Sequence, residues 1–150
     1  TSGGLGTMGF GLPSAFGAKV GTPDKQVIAI SGDGGFQMNI QELGTVMQEG
    51  TAVKMIILNN SFLGMVRQWQ ELFFDKRYAS TDMVSPNFQI LADAYNIQNR
   101  KVEQRVDLKA ALQEMLDADG SYLLEVIVEQ EGNVFPMVPT GASVSEVRLS

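Results

Sequence analysis

Along this chain, short apolar runs alternate with helix-spaced apolar positions, and Gly, Pro and Asn punctuate them. After a glycine-rich opening, Pro13 suits the first turn of a helix, which the pattern predicts to run to about Val20 and to stop at Gly21, Thr22 and Pro23. Val27 to Ile30 read as a buried strand, ended by Ser31, Gly32, Asp33, Gly34 and Gly35. Ile40, Leu43 and Met47 fall on one helical face, with Gly50 as the stop. A second buried strand, Val53 to Leu58, closes at Asn59 and Asn60.

Beyond it, Phe62, Val66, Trp69 and Phe73 share helical spacing and predict a helix over 62–74. Asp75 to Ser85 read as loop. Ser85 is placed as a cap and Pro86 as the opening of a helix that buries Phe88, Leu91, Ala92 and Tyr95. A weak strand spans Ile97 to Val102, and Asp107 caps a helix with Leu108, Ala111, Leu112, Met115 and Leu116 inward, ended by Gly120. Tyr122 to Val128 form the last strand, and Glu131 onward is a tail bearing Pro and Gly. Alternating strands and helices over short loops predict an α/β fold, a parallel sheet with helices on both faces. Such sheets bind ligands beyond the carboxyl ends of their strands, which places Ser31 to Gly35 and Asn59 to Gly64 on one rim.

The chain has 150 residues, enough for one domain, with residues about 131–150 as its tail. Hydrophobic residues at 44% and charged ones at 19% are globular usage, and no apolar run approaches the roughly 18 residues a membrane span requires. Eleven Lys plus Arg against 17 Asp plus Glu give a net charge of −6, the wrong sign for nucleic acid or an anionic membrane as partner. With no Cys and no His, the chain has no disulfide, thiolate metal site, imidazole base or Ser-His-Asp triad. Any bound metal takes oxygen ligands, which selects hard cations such as Mg²⁺ or Ca²⁺. Thr1 opens the sequence without an initiator Met or a secretory signal, so a fragment or processed piece in the cytoplasm is expected.

Two glycine signals compete. Gly4, Gly6 and Gly9 spell G-x-G-x-x-G before a helix, with Asp33 as a ribose-binding acid, a nicotinamide-binding pattern that needs a strand directly ahead of Gly4. The same glycines also suit a tight turn. The second signal is Gly32-Asp33-Gly34 at one strand end and Asn59-Asn60 at the next. One helical crossover can bring them together, so that Asp33, the side-chain oxygen of Asn60 and a backbone carbonyl just beyond hold a cation. Backbone N–H groups after Asp33 then face phosphate oxygens at a helix start. Each piece alone is equally a plain turn or strand end.

Taken together, these residues resemble the cofactor signature of the thiamin-diphosphate enzymes. The resemblance implies that Asp33, Asn60 and the main-chain carbonyl of Phe62 hold Mg²⁺ while the diphosphate rests on Gly34 and Gly35, with Gly32, Gly64 and Met65 completing the cofactor site. Thr1 to Gly9, Gly32 to Met38, Asn59-Asn60, Leu63-Gly64-Met65-Val66-Arg67-Gln68-Trp69-Gln70 and Phe135 to Val138 are similar to the diphosphate-binding domain of the acetolactate (acetohydroxyacid) synthase catalytic subunit. That likeness implies contacts from Gly6 and Met8 to the aminopyrimidine ring, with Met8 holding the cofactor bent. It also implies that Met65 and Trp69 border the pocket for a second 2-oxo acid. On patterning alone, Met65 and Trp69 are equally one buried helix face, and Met8 a core filler.

The implied activity is decarboxylation of pyruvate and condensation of its two-carbon unit with a second 2-oxo acid, in branched-chain amino-acid biosynthesis. Family members form homodimers or tetramers, take an activating Glu from a separate domain of the partner subunit, carry FAD on another domain, and can bind a regulatory subunit. The 150 residues alone are therefore expected to be inactive. Leu63 to Asp82 and the tail after Glu131 are expected to close over the site. Rival readings are the diphosphate-domain subunit of another thiamin-dependent 2-oxo acid decarboxylase, a nicotinamide module, and a non-catalytic interaction domain. Glu125, Glu129 and Glu131 read as solvated faces.

Overall fold

The computed structural model describes residues 1–149. Four strands, β1 (Val27–Gly32), β2 (Val53–Asn59), β3 (Gln98–Val102) and β4 (Tyr122–Ile127), form a wholly parallel sheet in the order β1-β2-β4-β3. The helices are α1 (Gly11–Gly21), α2 (Asp33–Gln37), α3 (Glu42–Gln48), α4 (Gly64–Phe73), α5 (Phe88–Ala94) and α6 (Leu108–Asp117). The predicted α/β architecture is the observed one. None of the described helices is long and apolar enough to cross a membrane.

Because side chains alternate across a strand, the sheet separates two cores. On one face Ala29, Val53, Met55, Ile57 and Leu123 pack with Leu12 and Ala15 of α1, Leu43 and Val46 of α3, and Phe88 and Ala92 of α5. On the other, Val102, Tyr122, Leu124 and Val126 pack against Ala111 and Met115 of α6. The second face is covered only over β4 and β3, so Ile28, Ile30 and Leu58 stay exposed. Full burial of a side chain such as Leu43 or Phe88 contributes about 1.5–3 kcal/mol, which is why these positions decide where the helices lie.

Several local expectations are corrected. The helix predicted to carry Ile40, Leu43 and Met47 is two pieces, α2 starting directly at the end of β1 and α3 after an intervening turn, and Met47 is exposed. Asn87, not Ser85, caps α5: its Oδ1 accepts from the N–H groups of Gln89 and Ile90. Asp107 lies in a 3-10 turn, Arg105–Asp107, and makes no side-chain cap, while Leu116 is partly exposed. The carboxyl end of α6 is held from the sheet instead. The buried Lys54 ammonium donates to the carbonyls of Ala118 (2.6 Å) and Gly120 (2.8 Å), and burial lowers its pKa.

α4 packs unlike the other helices. Its buried residues are Arg67 and Gln68, whereas Met65, Val66 and Phe73 are exposed. Neither core contains a residue of α4, because the helix stands off the sheet and its inward side receives polar chain rather than an apolar layer.

Tyr122, fully buried, donates to Glu114 Oε1 at 2.7 Å, and Arg100 donates to Glu114 Oε2 at 2.6 Å. These two hydrogen bonds, that of Tyr122 first, hold the Glu114 carboxyl below the ordinary glutamate range. A depressed folded-state pKa contributes stability above the unfolded value and loses it as pH falls through the folded one. Tyr122→Phe is therefore expected to lower the unfolding free energy by about 1 kcal/mol at neutral pH, with the difference shrinking in acid as Glu114 protonates. Urea melts of both proteins across that range check it.

Candidate functional site

Parallel pairing aligns Gly32 with Leu58, so β1 and β2 end side by side. Immediately past those ends, Asp33 opens α2 and Asn60 begins the loop into α4. A cleft of about 520 Å³ lies between the two tips. Gly32, Asp33, Gly34 and Gly35 line it from the first, and Asn60, Phe62, Gly64 and Met65 from the second. Met8 reaches in from the amino-terminal segment, and Val128, Glu129, Gly132 and Val134 form the far wall.

Asp33 is 1% exposed, and its Oδ2 accepts from the Ser85 hydroxyl at 2.9 Å. Among the described residues it has no cationic partner. A buried carboxylate with only a neutral donor is poorly compensated, which favours a cation at that point. No cluster of three His, Cys, Asp or Glu side chains suited to a metal exists among the described residues, so Asp33 would act with neutral oxygens, as a hard cation tolerates. Asn60 Oδ1 accepts from the Phe62 N–H at 3.1 Å, which folds the loop tightly over the cleft and leaves that oxygen a second lone pair.

The floor is shaped by an absent side chain. A Cβ on Gly34 would come within 2.8 Å of Met83 Sδ, 2.9 Å of Leu63 Cδ2 and 3.0 Å of Met8 Cε, so only glycine leaves its backbone accessible. α2 spans only five residues, so what it offers an anion is N–H groups rather than a substantial helix dipole.

Of the predicted site residues, Gly6 and Trp69 lie outside this lining. Gly6 is exposed at φ 63°, donating its N–H to the Ser2 carbonyl. Trp69 stacks on Phe73 within α4, ring centroids 4.8 Å apart. Sequence reading missed Ser85, Met83 and, on the far wall, Val128 and Glu129; the Ser85-Pro86 pair carried a signal, but it resembled a helix cap. It also misplaced Glu125, which is buried rather than solvated and accepts from Asn59 and Gln89.

The tail is strapped to α4. Gln68 pairs with Val134 through both its amide groups, at 2.7 and 3.0 Å. Arg67, held against the rings of Phe62 and Tyr78, reaches Glu71 at 3.2 Å and Glu131 at 2.9 Å. Glu131, though largely exposed, is thus part of the strap. These bonds join the two segments that flank the mouth of the cleft.

Two neighbouring parallel strands ending in an Asp-Gly-Gly turn and an Asn-Asn tip define a cofactor-binding domain of the thiamin-diphosphate type. The chain belongs to that family: residues 1–126 match the one described as thiamine pyrophosphate enzyme, C-terminal TPP binding domain. It is 51% identical over 148 residues to the acetolactate synthase isozyme 2 large subunit of Escherichia coli, covering 98% of this chain and 27% of that protein. Against the mitochondrial acetolactate synthase catalytic subunit of Aspergillus candidus the identity is 50%, over 97% of this chain and 21% of that one. The chain thus spans about a quarter of the length of these relatives. Among solved structures, a thiamine diphosphate-dependent 4-hydroxybenzoylformate decarboxylase of Rhodococcus jostii superimposes with a TM-score of 0.77 at 33% identity, over 83% of this chain and 24% of that one. The family match over residues 1–126 places Gly4, Gly6 and Gly9 in a thiamine pyrophosphate-binding domain, which sets the nicotinamide reading aside.

Gly9 and Gly34 separate backbone need from site need. Gly9 has φ 93°, and an added Cβ would lie 2.7 Å from both Asn39 Nδ2 and Met38 Cβ. Gly9→Ala is expected to destabilise the fold by about 1–3 kcal/mol. Gly34→Ala meets only movable side-chain ends and is expected to cost less than about 1 kcal/mol. Denaturant midpoints of the two variants test the order.

Proposed function

We propose that this chain is the cofactor-binding portion of an acetolactate synthase catalytic subunit, acting on pyruvate and a second 2-oxo acid in branched-chain amino-acid biosynthesis. The observation that carries the reading is the convergence of Asp33, Asn60 and Phe62 on one cleft whose floor is Gly34, in a chain about half identical to such subunits. Bound thiamin diphosphate would supply the electron sink that lets a 2-oxo acid lose CO₂ and its carbonyl carbon act as a nucleophile.

In this reading the protein positions and neutralises. Asp33, the Asn60 side-chain oxygen and the Phe62 carbonyl hold Mg²⁺, and the N–H groups of Gly34 and Gly35 take the diphosphate alongside Gly32 and Gly64. Met8 and Met65 supply apolar walls to the cofactor, and Gly6 approaches its ring. The buried setting of Asp33 supports the cation, since the carboxylate otherwise has one neutral donor. Trp69 borders the acceptor pocket beside Met65, and the strapped α4 and tail close over the mouth. The activating Glu, FAD and the dimer or tetramer contacts lie outside this chain's own site, and residues 1–150 alone stay inactive. A cytoplasmic location belongs to the same proposal; relatives carry mitochondrial and chloroplastic names.

In the complete protein, Mg²⁺ with thiamin diphosphate should raise the thermal midpoint and NAD should not, since a ligand stabilises the state it binds. Asp33→Asn is expected to abolish that shift and to weaken Mg²⁺-dependent cofactor binding by more than the roughly 10- to 100-fold typical of outer-sphere changes. A full shift in the variant would remove Asp33 from the site. Trp69→Leu should erode any preference for 2-oxobutyrate over pyruvate as acceptor, by about 1–3 kcal/mol per methylene discriminated. Product ratios under competing substrates measure it, and an unchanged ratio would take Trp69 out of the pocket.

A further inference from the structure

Glu125 occupies the middle of β4 and is 4% exposed, yet none of the ion pairs among the described residues includes it. Lys101, its register partner on β3, places its ammonium 2.7 Å from Glu103 instead. Each Glu125 oxygen is met by a neutral amide from a different element: Oε1 accepts from Asn59 Nδ2 at 2.7 Å, and Oε2 from Gln89 Nε2 at 2.9 Å. A buried charge with neutral partners stabilises less than an apolar side chain of similar volume. What a carboxylate provides uniquely is polarity, because it accepts at both oxygens and donates at neither.

That polarity propagates toward the cleft. With its NH₂ committed to Glu125, the Asn59 amide must turn its Oδ1 the other way, where it accepts from the Ser61 N–H at 3.0 Å and the Ser61 hydroxyl at 3.3 Å. Ser61 sits at φ 56°, a left-handed conformation that a non-glycine residue holds only with support. Its carbonyl in turn accepts from the Met83 N–H at 2.9 Å, fixing the segment that leads to Ser85 and hence to Asp33. The two residues flanking Ser61 are Asn60 and Phe62. Through Gln89 the same carboxylate holds the first turn of α5, four residues after Ser85.

We infer that Glu125 is a positioning residue: it sets the flip of the Asn59 amide, which locks the Ser61 turn and thereby aims Asn60 and the Phe62 carbonyl into the cleft. The inference rests on the cofactor reading for its consequence, though not for the relay itself. Leucine at 125 would leave the buried Asn59 NH₂ without an acceptor and free the amide to rotate. Glutamine keeps one acceptor oxygen for Asn59, and the half-buried Gln89 can turn its own amide to suit.

The test uses the complete protein, with Mg²⁺ titrated at saturating thiamin diphosphate and binding read by calorimetry, beside amide hydrogen exchange without ligands. Glu125→Leu should raise the half-saturating Mg²⁺ concentration by about tenfold or more. It should also speed exchange at Ser61 and Phe62 while leaving β4 protected. Glu125→Gln should raise that concentration only about two- to fivefold, the rescue that an acceptor at this position predicts. Unchanged Mg²⁺ dependence in a folded Leu variant, or unchanged exchange at Ser61 and Phe62, overturns the proposal. If the Leu variant does not fold, the Gln variant decides alone, and wild-type values in both measurements overturn it. If the wild-type protein shows no Mg²⁺-dependent cofactor binding, the cofactor reading fails, and the exchange comparison still judges the relay.

Discussion

The parallel register of β1 on β2 is the constraint on which the rest of the molecule depends. Because Gly32 lies opposite Leu58, the backbone that follows each strand emerges at the same height, one strand spacing apart. An acidic turn and an amide tip separated by a helical crossover in sequence thus become the two lips of one cleft. A slip of one residue would turn Asn59 to the opposite face, away from Glu125, and would break the chain of bonds through Ser61.

Around that junction the protein uses buried polar groups where its cores use only apolar ones. Asp33, Asn59, Glu125, Arg67, Gln68 and Thr81 are all buried, and among the buried polar residues every one except Lys54 and Glu125 lies at the carboxyl end of the sheet or in the segments that follow it. No buried side-chain polar atom among the described residues lacks a partner. Such a network specifies orientation more than it adds stability, because each amide and carboxylate accepts only certain partners. The apolar cores beneath it fix the strands, and the polar layer above fixes the tips.

α4 belongs to that polar layer and not to the core, which explains why its buried residues are Arg67 and Gln68. The helix is held by Gln68 to Val134, by Arg67 to Glu131 and by Gln70 to the backbone of Ala79, so its inner side must offer hydrogen bonds. Its apolar side chains Met65, Val66 and Phe73 are consequently turned outward beside the cleft. Neither core includes a residue of this helix, so its position rests on these hydrogen bonds.

Apolar periodicity and turn residues, local properties that survive without knowing the partner surface, were enough to place the strands, most of the helices and the shared rim of Asp33 and Asn60. The sequence also led to the right family, through motifs whose residues meet in the cleft. Tertiary structure alone decided that Ser85 serves Asp33 and not α5, that Glu125 is buried, and that α4 presents Arg67 and Gln68 inward. Each of these depends on a hydrogen-bond partner distant along the chain: Asp33 for Ser85, Asn59 for Glu125, and Val134 for Gln68. A polar side chain carries no mark of whether it will meet water or a buried amide; only the packed chain supplies the answer.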